Sequence, residues 1–260
     1  MRSIWKGHIR FSLVNIPIQI FSAVNTKSNI SFKQLHGKDN GRINYKKLCA
    51  DCEEEVPYGD IVKGYEYQPD QYVVLTKDDL ANIKLKSSKA IDIEAFVDVA
   101  DVHPTRYEAV YYVGPQGEVA QKTFSLFTQT LIKTGKAGIG RIILRDREDV
   151  CMITPHGKGL ILYKLRYPDE IRSIDKVPDL GEVEIDDAQL QLAETLVSSL
   201  TKTFAEVDFT DRYKEALTEL VATKVEGKQI VTLTETEDDK PVVDIMDALK
   251  ASIEAAKKAS

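Results

Sequence analysis

The chain has 260 residues, 43% apolar and 29% charged, with a formal net charge of −6. That leaves room for one large domain or two small ones of an ordinary soluble kind, and no run approaches the roughly 18 apolar residues of a membrane-spanning helix. Three cysteines, Cys49, Cys52 and Cys151, are an odd number without a secretory signal ahead of them; they point to a reducing cytoplasm and away from a disulfide framework.

The opening stretch, WKGHIRFSLVNIPIQIFSA, alternates polar and apolar residues as a strand does. Its phase slips: Ile9, Phe11 and Leu13 are odd, whereas Val14, Ile16, Ile18 and Ile20 are even. A one-residue slip turns the other face inward, which predicts a bulge or bend near Asn15. Pro17 predicts an edge or barrel-rim strand. Further strands are expected at 72–75, 109–114, 139–144, 150–155 and 159–168, with HGKG (156–159) as a hairpin turn. In the last strand Leu160, Leu162, Lys164 and Arg166 share one face, and Ile161, Tyr163, Leu165 and Tyr167 share the other. Short strands with tight turns indicate a barrel or sandwich. Two helices interrupt them. One opens at Thr76. The other covers KTFSLFTQTLIKTG, with Phe124, Phe127, Leu131 and Ile132 on one side and Gly135 as its stop. After Pro178 two amphipathic helices follow, AQLQLAETLVSSLTKTF and, behind a Thr210 cap, TDRYKEALTELVATKV. The acidic TETEDD (234–239) precedes a last helical stretch, in which Val242, Ile245, Met246, Leu249 and Ile253 form one apolar stripe.

Charge is divided along the chain. Residues 1–50 hold nine Lys or Arg and one acid; residues 121–147 hold six and one; residues 177–260 hold nine bases and nineteen acids. A basic first part and an acidic last part suit a polyanion-binding surface whose remainder faces elsewhere. The row Lys6, His8, Arg10 on the first strand belongs to that surface or is simply a solvated face, and both readings stand.

CADC (49–52) has the spacing of a zinc knuckle or a redox dithiol. A redox site sits between a strand and a helix start, but here loop residues follow. A tetrahedral zinc needs two ligands beyond Cys49 and Cys52, with His36 or a second copy of the turn as sources. Two free thiols in a structural turn is the plainer reading. Cys151, in an apolar strand, reads as core. GKAGIGR (135–141) lacks the P-loop Lys-Ser/Thr and runs helix to strand, so it reads as a helix cap and tight turn. No H-E-x-x-H or G-x-S-x-G occurs, and the four histidines are scattered; these features point away from an enzyme.

The stretches IRFSLVNIPIQIFSA, SFKQLHGKDNGRINYKKLC, EVPYGDIVKGYEY, YVVLTKDDL, LRYPDEIR and DIMDALKASIEAAK together resemble the bacterial Ku proteins, and they run over essentially the whole chain. The resemblance implies a β-rich mixed α/β fold. Residues 1–176 would form a Ku-like β-barrel core with a DNA-encircling bridge. Residues 177–233 would be a helical arm for dimerisation, and 234–260 an acidic linker and ligase-recruiting helix. It implies a homodimeric ring that binds double-stranded DNA ends without regard to sequence. It further implies recruitment of an ATP-dependent DNA ligase of the ligase D type in non-homologous end joining, at the nucleoid and without membrane association. By this resemblance and by charge, the expected DNA-binding residues are Arg10, Lys27, Lys33, Arg42, Lys46, Lys47, Lys63, Arg141, Arg145 and Arg147. The expected ligase contacts are Val242, Ile245, Met246, Leu249 and Ile253. No cofactor is expected, with zinc at Cys49 and Cys52 as the exception to test. Many relatives end in a long lysine-rich tail where this chain has only Lys257 and Lys258, so tail-dependent functions are not carried over. An RNA- or single-strand-binding zinc-knuckle protein and an enzyme of other mechanism remain as alternatives. The first calls for aromatic residues among the bases, and residues 25–50 hold only Phe32 and Tyr45.

Overall fold

The computed structural model describes residues 1–25, 30–76, 78–80, 89–144 and 147–227. It divides into two compact units, Met1–Lys176 and Val177–Ser260. The first is the β-rich mixed α/β fold the sequence predicts, built on a closed seven-strand barrel.

β1 (Trp5–Phe11) and β2 (Val14–Ser22) are two antiparallel strands. The predicted bend near Asn15 is therefore a hairpin, turned at Ser12 and Leu13 with Ser12 at φ 49°. The register explains the phase slip. Ile9 faces Ile16 and Gly7 faces Ile18, and cross-strand partners point to the same side. Odd residues in β1 and even residues in β2 thus share the barrel interior. Of the two readings of Pro17, the edge strand is excluded, because β2 lies between β1 and β6, and the barrel rim stands, because Pro17 lies just beyond the end of the β2–β6 ladder. Pro17 O accepts the N–H of Gln116 at 3.0 Å, so the missing N–H also points toward β6. The ladder with β6 starts only at Ile18, so the missing N–H falls at the end of the ladder.

β3 (Lys63–Gln68) and β4 (Gln71–Leu75) form a separate two-stranded ribbon turned at Asp70, φ 60°. β5 (Ala90–Asp98), β6 (Tyr107–Pro115), β7 (Lys136–Leu144), β8 (Arg147–His156) and β9 (Gly159–Leu165) complete the barrel in the order β1-β2-β6-β9-β8-β7-β5. A parallel pairing of β5 with β1, from His8–Ala90 to Arg10–Asp92, closes it. The predicted HGKG hairpin joins β8 to β9, with Gly157 at φ 55°.

α1 (Glu118–Thr134) packs on β2, β6, β7, β8 and β9. It buries Ala120, Phe124, Phe127, Thr128 and Leu131, whereas Ile132, predicted on the same side, is 55% exposed. Spacings of three and four residues from Phe124 select Thr128 instead, and its hydroxyl is satisfied by Phe124 O at 2.9 Å. Phe124, Phe127 and Leu131 join Ile9, Ile16, Ile18, Ile20, Ile142, Cys151, Ile153, Leu160 and Leu162 in one core. Gly135 caps the helix in the left-handed conformation (φ 67°, ψ 15°). The tight turn predicted after it is instead the start of β7. Within β7, a Cβ on Gly140 would lie 2.4 Å from Asp92 O, so close approach of β5 requires glycine there.

The second unit contains α2 (Asp187–Leu200) and α3 (Arg212–Val225). α2 stops at Leu200, and Phe204 sits in a separate short turn closed by a Thr203–Glu206 capping box. α3 is capped by Asp211 rather than Thr210; Asp211 Oδ1 accepts the N–H of Lys214 at 2.9 Å. Neither helix has a buried residue. No described helix is long and apolar enough to cross a membrane.

Candidate nucleic-acid interface

The expected DNA-binding residues fall into two environments. Lys33, Arg42, Lys46, Lys47 and Lys63 lie in the segment 30–76, where every residue is exposed except Cys49, Val56 and Leu75, and none is buried. Isolated bridges Leu35–Arg42 and Leu48–Glu55 fold this segment into two turns. Lys46 Nζ contacts Glu55 Oε2 at 2.6 Å across the second turn, and Lys47 Nζ stands 5.0 Å from the Tyr58 ring centroid. Lys33, Arg42 and Lys63 make no ion pair among the described residues.

The barrel arginines are differently placed. Arg10 grips Asp92 with two nitrogens, at 2.5 and 2.9 Å. Hydrogen bonding to Asp92 and then its charge raise the Arg10 pKa above the ordinary range. Arg141 contacts Glu94 at 2.8 Å and Glu148 at 3.2 Å, with its pKa raised mainly by the bond to Glu94. Arg147 lies 3.5 Å from Asp149 and 3.6 Å from Glu170. The row Lys6, His8, Arg10 is thus split. Arg10 is bound to Asp92 across the β1–β5 closure, while Lys6 on the same exposed face has no ion pair among the described residues. Lys27 and Arg145 lie outside the described residues, as do Val242, Ile245, Met246, Leu249 and Ile253.

Sequence reasoning passed over one charged cluster. Asp149, 3% exposed, lies 3.2 Å from Lys164 Nζ, and Lys164 lies 3.0 Å from Glu108. Burial alone would lower the Lys164 pKa; the hydrogen bond to Glu108 and the adjacent Asp149 carboxylate outweigh it and raise the value. The signal was available as a lysine on the same strand face as Leu160 and Leu162, both fully inside the barrel. A cation on a core-facing position requires an acid beside it.

The cysteines also separate. Cys151 is buried in the barrel core, as predicted, and desolvation, helped by the Asp149 charge, pushes its thiol up to about 12. Cys49 is half-buried and Cys52 exposed. Backbone hydrogen bonding from Cys52 and Asp51 holds the Cys49 thiol below its ordinary pKa. The turn supplies two sulfur ligands for a metal. His36, the third ligand considered, lies 3.0 Å from Asp39, and no group of three His, Cys, Asp or Glu side chains arranged for a metal occurs among the described residues.

A family model described as the Ku70/Ku80 beta-barrel domain matches residues 10–192. Among curated proteins, the chain is 40% identical to the non-homologous end joining protein Ku of Archaeoglobus fulgidus, covering 99% of this chain and 100% of that one. It is 37% identical to the protein of that name from Heliobacterium modesticaldum, with 99% and 93% covered. To that of Bacillus subtilis it is 36% identical, with 99% and 83% covered.

Proposed function

The chain belongs to the Ku family, and from that premise we propose that it binds the ends of double-stranded DNA, without regard to sequence, in non-homologous end joining. It does so as a homodimeric ring, by binding rather than catalysis, and it recruits an ATP-dependent DNA ligase of the ligase D type at the nucleoid. The observation that carries this reading is the exposed, cation-bearing segment 30–76, in which Lys33, Arg42 and Lys63 are free of acidic partners among the described residues. A protein that accepts any broken end must touch phosphate and sugar rather than base edges. Exposed lysines and arginines on turns and on a two-stranded ribbon meet that demand.

Dimerisation draws support from the second unit. Leu190, Val197, Leu200, Phe204, Phe209, Tyr213 and Val221 are all exposed there. Two helices without a buried residue need a partner surface, and obligate interfaces commonly bury on the order of 2,000 Å² or more. Ligase recruitment rests on the apolar stripe read from sequence at 242–253, behind an acidic tether, which suits an amphipathic helix seated in a groove. Deleting residues 241–260 is expected to abolish ligase stimulation while sparing dimerisation and end binding; loss of all three would contradict a tethered recruiter.

The alternative of single-strand or RNA binding has one observation in its favour, the exposure of Tyr45, Tyr58, Tyr65, Tyr67 and Tyr72 in the same segment. Base stacking on such rings is sequence-tolerant. Competition decides between the two. Duplex is expected to displace labelled duplex at concentrations where single-stranded DNA or RNA of equal length does not, and the reverse order would favour the alternative.

A further inference from the structure

Two copies of one turn lie in tandem in the exposed segment. In the first, Leu35 bridges Arg42, His36 N donates to Gly41 O at 2.8 Å, Asn40 N donates to His36 O at 2.8 Å, and Asn40 has φ 56°. In the second, Leu48 bridges Glu55, Cys49 N donates to Glu54 O at 2.9 Å, Glu53 N donates to Cys49 O at 3.0 Å, and Glu53 has φ 59°. Position for position, Cys49 and Cys52 stand where the first turn has His36 and Asp39. Those two side chains are joined, His36 Nδ1 to Asp39 Oδ1 at 3.0 Å, and Asp39 also accepts the N–H of Gly41 at 2.8 Å. The backbone of this turn therefore brings its first and fourth side chains into contact.

We propose that Cys49 and Cys52 are a modification site, a dithiol that hydrogen peroxide converts to an intramolecular disulfide, locking the second turn covalently where the His36–Asp39 contact holds the first. By that equivalence Cys49 and Cys52, the first and fourth residues of the second turn, are brought together at the spacing of a C-x-x-C dithiol. The Cys49 thiolate attacks one peroxide oxygen; an S–O bond forms, the O–O bond breaks, and the departing hydroxide takes a proton to become water. The Cys52 sulfur then attacks the sulfenic sulfur of Cys49. An S–S bond forms, the S–O bond breaks, and the second water leaves with the Cys52 proton. The two sulfurs lose two electrons and one peroxide becomes two waters; a dithiol reductant reverses the change. Both thiols are accessible, Cys52 fully and Cys49 in part, whereas Cys151 is sealed in the barrel core with its thiol raised to about 12. Cys151 is thus an internal control. The lock sits at the end of the stem that carries Lys46 and Lys47 and fixes the turn on which those cations are mounted.

The test uses the full-length reduced protein, titrated with hydrogen peroxide, alkylated and mapped by peptide mass spectrometry, with metal content measured on the same sample. The expected product is a single chain with Cys49 linked to Cys52, Cys151 alkylated only after denaturation, and both thiols restored by a dithiol reductant. Cys52→Ser should stop at a Cys49 sulfenic acid that dimedone traps, and Cys49→Ser should consume peroxide about tenfold more slowly. The proposal is overturned if the two cysteines oxidise separately to sulfinic acids or link different chains. It is equally overturned if a stoichiometric metal already blocks both thiols in the protein as purified.

Discussion

In the barrel, Arg10, Lys136, Arg141, Arg147 and Lys164 each face a carboxylate, whereas in the segment 30–76 Lys33, Arg42 and Lys63 face none among the described residues. The two regions carry cations of the same kind at similar density along the chain, yet present them to different partners. A guanidinium already forked onto a carboxylate has its charge largely cancelled beyond a Debye length of about 8–10 Å. Moving it to a phosphate would strip the acid it leaves. A free cation on an exposed turn has no such tie. Clusters of Lys and Arg in a sequence are therefore not yet a binding surface; what their acids do in space decides.

The contrast is sharpest in stability. Ile153 is fully buried in the barrel core and Leu35 is 48% exposed. Ile153→Ala is expected to cost about 3–4 kcal/mol and Leu35→Ala less than about 0.5 kcal/mol, read as urea midpoints at unchanged slope. Next in size is the buried charge cluster. Lys164→Met removes the cation shared by Asp149 and Glu108 and leaves Asp149 only the more distant Arg147, a loss of about 3 kcal/mol. Removing the exposed Lys46–Glu55 contact by Lys46→Met is expected to move the midpoint by less than about 0.5 kcal/mol. Equal costs for the two lysines would erase the distinction between the regions.

The pH limb follows from Cys151. Its folded thiol ionises later than an unfolded one, so its contribution is intact below the ordinary value of 9.0 and is lost as pH climbs from there toward about 12. Unfolding at pH 10 should show stability reduced by about 1.4 kcal/mol from this group. Lys164, with its pKa raised, adds loss of the same sign at higher pH. Cys151→Val should flatten the first part of that fall; an unchanged slope would remove Cys151 as its source.

DNA affinity also separates the regions. Arg42→Glu with Lys63→Glu should weaken all duplex sequences alike and make the log–log salt slope shallower by about 2. Arg141→Glu should leave that slope unchanged while lowering the unfolding midpoint, because it sets three acids, Glu94, Glu148 and itself, against one another.

Much of this was readable from residue order, and the remainder was not, for physical reasons. Period-two alternation and the HGKG turn located β8 and β9, and Gly135 located the end of α1. The β1–β2 hairpin was misread because Ser12 and Leu13 carry no Asn-Gly or Asp-Gly signal, and a two-residue turn shifts parity as a bulge does. Of the candidate site, exposure was legible and ion pairing was not. Lys33, Arg42 and Lys63 are exposed as their charge implies, but the neutralisation of Arg10 and Arg141 depends on Asp92 and Glu94, which are 82 and 47 residues away and arrive only when the barrel closes through β5. No local pattern encodes that pairing.

Binding to DNA ends is tested by the form of the duplex. One duplex of fixed length and sequence is presented to the protein either linear or as a covalently closed circle, with retained protein measured at matched salt. Stable, salt-sensitive loading is expected on the linear form, with its loss on the circle. Equal affinity for the two forms would contradict binding to DNA ends.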